Sequence, residues 1–184
     1  MKKLKLPFHS FKTNNLKSIK TSIEKVAVLL NKEKEAKDLN EKIDSTLKSL
    51  ENIVLNKSFM IVISPRVDLD KSIYIAGNNL YFNDILKVSG NINAYTSESL
   101  AQPVVNVEKI ISMNPDVIIL LAPYLNESNI TSNELKKPWL ELPTKASKSK
   151  SIYIINKEYA GIPSNRVVNF MEDFKKILED VRSK

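Results

Sequence analysis

Along the first third of the chain, apolar side chains recur every three or four positions. Ile19, Ile23, Val26 and Leu30 form one such stripe and predict a helix from Leu16 to Leu30. Ala36, Leu39, Ile43, Leu47, Leu50 and Val54 form a second stripe, with mostly Lys, Glu, Asp and Asn between them and no Gly or Pro. It predicts one long amphipathic helix over 32–56, roughly 35 Å in length. A short coiled coil is the other reading of that stripe.

After residue 57 the pattern changes to short apolar runs separated by helical stretches. Phe59 to Ser64 reads as a strand stopped by Pro65, and Ile73 to Ala76 as a second, short strand. Gly77-Asn78-Asn79 is turn chemistry leading into a helix with Leu80, Ile85 and Leu86 inside and Gly90 as its stop. The segment from Asn106 to Leu121, NVEKIISMNPDVIILL, is the most informative. Asn106 suits an N-cap, Val107, Ile110 and Ile111 recur at helical spacing, and Pro115 disfavours helical geometry at Asn114. Val117 to Leu121 is then an unbroken aliphatic run, as expected of a strand covered on both faces. A polar loop spans Asn126 to Asn133. A short helix carries Leu135, Trp139 and Leu140 and ends at Pro143, with Trp139 expected in packing. Ser151 to Ile155 is a strand, and Ser164 to Val181 a final helix with Val167, Phe170, Met171 and Phe174 on its apolar face. Strands alternating with helices imply an α/β fold: a parallel sheet with helices on both faces, preceded by one long helix. Three regions result: 1–31, 32–56 and 57–184, the first opening with an extended piece from Leu4 to Phe11.

Composition narrows the function classes. With 184 residues and 42% hydrophobic, the chain has enough apolar side chain for a real core. The charge of +7 raises nucleic acid as a partner, but lysines dominate, and Arg66, Arg166 and Arg182 are the arginines. The charges are scattered along helices and loops, which reads as a solvated surface. No cysteine is present and His9 is the single histidine, leaving little room for a thiolate or imidazole metal site or a serine triad. No GxxxxGK[ST], GxGxxG, HExxH or GxSxG occurs. Asp68/Asp70 and Glu172/Asp173 read as a loop and a solvated helix face. The chain is therefore read as non-enzymatic, with no resident cofactor. In α/β sheets ligands meet the loops after strand ends. Those loops hold Gly77-Asn78-Asn79, Ala122-Pro123-Tyr124 and residues 156–161, groups that stack on and hydrogen-bond a ligand.

The motifs FMIVIS, YIAGNNLYFNDILKVSGNIN, VEKIISMNPDVIIL, PWLELPTKASKSKSIYIIN and SNRVVNFMEDFKKIL follow in that order. Together they resemble the C-terminal lobe of a substrate-binding protein of an ABC importer, of the branch with a rigid interlobe helix that handles iron siderophores, haem and cobalamin. The 32–56 helix resembles the interlobe helix and 1–31 a remnant of the N-terminal lobe, most of which is not in this chain. The resemblance implies capture of an iron chelate, haem or cobalamin and delivery to a membrane permease. It places Asn78, Asn79 and Tyr81 in a first cleft loop, Tyr95 and Gln102 in a second, Tyr124 in a third and Tyr159 in a fourth, with Arg166 at the closing helix; read from the residues alone, Tyr81 at helical spacing is equally a core position, Asn78 and Asn79 build a turn, and Arg166 is a surface residue at a helix start. Glu108 falls where relatives carry a glutamate that docks on the permease; read from the residues alone, it is an acid favoured in a first helical turn.

Two rivals stand beside this reading. One is an oligomerising module, self-associating through surface that a first lobe would cover. The other is a small nucleotide-binding α/β domain. The resemblance implies a periplasmic or lipid-anchored location. The basic N-terminus lacks the apolar run of a signal peptide, so the expectation is cytoplasmic if Met1 is the true start.

Overall fold

The computed structural model describes residues 9–97 and 101–184; the expected extended piece at Leu4–Phe11 lies mostly outside them. Two helices come first, α1 (Leu16–Leu30) and α2 (Glu33–Lys48). Asn15 caps α1 by accepting from the Ser18 N–H, and left-handed Asn31 (φ 52°) reverses the chain into α2. The expected helix over 32–56 is too long: after Lys48 the chain goes into turns, with Asn52 (φ 61°) and Asn56 (φ 59°) left-handed. Asn tolerates that conformation and a helix does not. Leu50, Ile53 and Val54 still reach the core from those turns, so the stripe marked burial rather than continuing helix.

The remaining elements are β1 (Ser58–Ile63), β2 (Ile73–Ile75), α3 (Tyr81–Val88), β3 (Ile92–Asn93), β4 (Val104–Val105), α4 (Val107–Met113), β5 (Val117–Leu121), α5 (Ser132–Leu140), α6 (Lys145–Lys148), β6 (Ile152–Ile155) and α7 (Val167–Ser183). The sheet runs β4-β2-β1-β5-β6, and β3 pairs with the lower half of β1. Strands β1, β5 and β6 are parallel, as expected, and the two-residue β3, not read from the sequence, also runs parallel to β1. Strand β2 is not: it pairs antiparallel with β1, and β4 antiparallel with β2. The connection from Ser64 to Ser72 contains no helix, and a parallel neighbour needs a crossover of a dozen residues or more.

Alternate residues of the central strands face two cores, which is why their sequence runs are continuously apolar. Phe59, Ile61, Val117, Ile119 and Leu121 pack under α1, α2, α3 and α7. Met60, Val62, Ile118 and Leu120 pack against α4, α5 and α6, with Trp139 fully buried among them. The fold is thus α/β with helices on both faces. At the amino-terminal end of the sheet, Asp116 ties β1 to β5: its Oδ2 accepts from the Ser58 N–H at 2.9 Å and the Ser58 hydroxyl at 2.7 Å. Lys145 adds an ion pair at 3.5 Å.

Candidate functional site

Ile63 sits opposite Leu121, and Leu121 opposite Ile155, so β1, β5 and β6 end in one row. Beyond β1, left-handed Ser64 (φ 55°) and Pro65 turn the chain away. Beyond β5, Ala122-Pro123 leads to Tyr124, 69% exposed, while the next residue, Leu125, is buried and anchors the turn. Beyond β6, the Asn156 side-chain amide donates to Asn126 Oδ1 at 3.1 Å, stapling the two loops together. Both asparagines had been read only as loop positions. A pair of side chains meeting across two loops leaves no local pattern.

Tyr159 lies in the same row of loops, half-buried against the core. Its hydroxyl donates to Asp173 of α7. Burial first, and the Asp173 carboxylate second, push the phenol above its ordinary value, so it stays protonated. Asp173 is thus a partner of the cleft loop, not simply part of a solvated helix face; Lys176 pairs with it at 3.1 Å. Arg166 stands exposed at the start of α7, and its guanidinium has no ion pair among the described residues.

The other expected cleft residues separate from this group. Because β2 is antiparallel, Tyr74 pairs with Ile63, Ile75 with Val62, and the Ala76 N–H with the Ile61 carbonyl. The chain enters Gly77-Asn78-Asn79 heading away from the row of strand ends. The Asn78 amide is committed to the backbone, donating to the carbonyls of Tyr95 at 3.0 Å and Ser97 at 3.3 Å. Asn79 is exposed. Gln102 is exposed in the segment that pairs with Ile75 and Gly77. Tyr95 is half-buried and packs on the face of the sheet opposite Tyr159.

Tyr81 is a correction. It is 2% exposed, packed between Phe82 and Phe170, and its hydroxyl has no partner among the described residues. Burial raises its pKa. Tyr81 and Ile85 are one helical turn apart, and the apolar stripe of α3 takes the ring into the core rather than the cleft.

Glu108 is exposed in the first turn of α4, where Asn106 Oδ1 caps by accepting from the Lys109 N–H at 3.0 Å. Strand β4 ends with Val105 beside Ile73, at the level of the Ile63 row. From there α4 descends to Asp116, whose N–H bonds the Ser58 carbonyl at the other end. Glu108 therefore stands at the same end of the sheet as Tyr124. Among the described residues, no group of three or more His, Cys, Asp or Glu could hold a metal ion, and no helix is long and apolar enough to cross a membrane.

A model of the periplasmic binding protein family matches residues 2–159. The high-affinity heme uptake system protein IsdE of Staphylococcus aureus is 23% identical over 166 residues, 89% of this chain and 57% of that protein. The chain thus spans little more than half the length of such relatives. The crystal structure of S. aureus IsdE complexed with heme superposes with a TM-score of 0.73 at 21% identity, over 95% of this chain and 69% of that one. The periplasmic vitamin B12 binding protein BtuF of Vibrio cholerae superposes with a TM-score of 0.76 at 14% identity, over 98% and 68%. At these identities the superpositions bear on the fold. With a family match over most of its length and the α/β architecture of those structures, this chain belongs to the periplasmic binding protein family.

Proposed function

We propose that this chain is the solute-binding part of an ABC importer, holding an iron chelate, haem or cobalamin at the carboxyl ends of β1, β5 and β6. Tyr124 carries the reading. It is an aromatic ring held in water by a buried neighbour, just beyond the carboxyl end of β5, where α/β sheets meet ligands. Tyr159 flanks the site with its ring and a protonated hydroxyl, a hydrogen-bond donor already engaged by Asp173. Arg166 suits a carboxylate on the ligand. The groups at these loops suit stacking and hydrogen bonding, which supports capture. Haem comes first among the three because the sequence relative is a heme uptake protein. Helix α2 serves as the interlobe helix. Glu108, exposed at the same end as the cleft and without an ion pair among the described residues, docks on a basic side chain of the membrane permease, outside the cytoplasm.

The test is absorbance titration of the purified chain with hemin, cyanocobalamin and a ferric hydroxamate in turn. Saturable binding of one of them is expected, weakened about fivefold in Tyr124→Ala, since stacking on an aromatic side chain is worth about 1 kcal/mol. That variant should fold normally, because the ring contributes little packing. Binding unaffected by Tyr124→Ala removes the cleft assignment; failure of all three ligands to bind removes the function from this chain.

A further inference from the structure

Pairing between β5 and β6 ends at the backbone bond from the Ala122 N–H to the Ile155 carbonyl, 3.0 Å long. The two segments then part. One passes through Pro123 and Tyr124 into a single 3-10 turn, Leu125–Glu127. The other passes through Asn156 to Tyr159. The Asn156 amide reconnects them by donating to Asn126 Oδ1 at 3.1 Å. Among the described residues no other hydrogen bond crosses between these two loops. Each side of the link carries a tyrosine of the candidate site: Tyr124 comes two residues before Asn126, and Tyr159 three residues after Asn156. The two rings are anchored differently. Tyr159 is half-buried against the core, and its hydroxyl is tied to Asp173 of α7. Tyr124 is exposed and takes its place from the turn that it heads, where its carbonyl accepts from the Glu127 N–H at 3.2 Å. A lone 3-10 turn is a weak element. Asn126 is the point at which this one is tied to the neighbouring loop.

We propose that Asn156, acting through Asn126, is a positioning residue for the ring of Tyr124. This role rests on the ligand site proposed above: the ligand meets two rings whose spacing is held by one hydrogen bond between their loops. Asn156 makes no ligand contact of its own; it keeps the Tyr124 turn in its binding arrangement. Without the link the turn samples other arrangements, and affinity falls by the fraction of time spent in the competent one. Loss of one neutral hydrogen bond sets that fall at about threefold. A population effect of this kind slows association and leaves dissociation unchanged, whereas loss of a direct contact speeds dissociation.

Stopped-flow absorbance on the whole chain with hemin, cyanocobalamin and a ferric hydroxamate tests it. With the probe that binds, Asn156→Ala should weaken binding about threefold through slower association. Asn126→Ala should do the same, and the two together should do no more than either alone, because both remove one link. In a Tyr124→Ala background Asn156→Ala should add nothing. Circular dichroism checks that each variant is folded. Unchanged affinity in Asn156→Ala, a loss carried by faster dissociation, or a loss that persists in full without the Tyr124 ring overturns the positioning role and leaves the ligand site standing. A wild-type chain that binds none of the three probes overturns the site and the positioning role together.

Discussion

Replacing Tyr81 by Phe should stabilise this protein. The hydroxyl is buried with no partner among the described residues, while the ring sits 4.2 Å from Phe82 and 6.4 Å from Phe170, centroid to centroid. A buried hydroxyl without a hydrogen bond costs about 1–3 kcal/mol relative to water. Phe keeps the ring and its contacts, so that cost is removed. The vacated oxygen leaves a small void whose lost dispersion offsets part of the gain. A net increase of about 1 kcal/mol is expected, equivalent to about 2–4 °C in Tm for a chain of this size. Urea unfolding followed by far-UV circular dichroism measures it, with the slope unchanged because the area exposed on unfolding is unchanged. A variant less stable by more than about 0.5 kcal/mol would mean that the hydroxyl has a partner and that the packing described for α3 is wrong.

Two further outcomes follow from the polar contacts. Asp116→Ala removes the acceptor for both Ser58 donors and the Lys145 ion pair, and should cost about 2 kcal/mol in the same urea assay; a cost under about 0.5 kcal/mol would show that the tie between β1 and β5 is idle. Burial pushes the Asp116 carboxyl up, but the Ser58 donors and Lys145 outweigh it and hold it below its ordinary value. A carboxyl depressed in the folded state adds stability that is complete above its unfolded value of 3.8 and is lost as the pH falls through the folded one. Acid unfolding should therefore be less steep in the Ala variant. Tyr159 has the opposite sign: its folded pKa lies above the ordinary 10.0, so its contribution is complete below that pH and declines as the pH rises. Tyr159→Phe should flatten the alkaline loss of stability, and an unchanged alkaline slope would contradict the Asp173 contact.

What could and could not be read from the sequence divides along physical lines. Continuous runs such as Val117–Leu121 announce burial on both faces, because every side chain must be apolar when helices cover both. They carry no information about direction. The antiparallel course of β2 was legible elsewhere, in the helix-free connection from Ser64 to Ser72, which is too short for a crossover. The strand-end argument set Gly77-Asn78-Asn79 with the loops after β5 and β6, whereas the antiparallel register carries it away from that row. The Tyr81 error is of another kind. Position in a cleft loop and position on the apolar stripe of α3 were both readable, and the stripe wins because burying a ring gains more than exposing it at a turn. Tyr124 and Glu108 are each held by the end of an element at one level of the sheet: Tyr124 by the carboxyl end of β5, and Glu108 by the start of α4 after β4. That shared level gives the proposed function its geometry. Ligand capture and permease docking then belong to one end of the molecule, and substitutions at Tyr124 and Glu108 should separate them, the first lowering ligand affinity and the second leaving it intact.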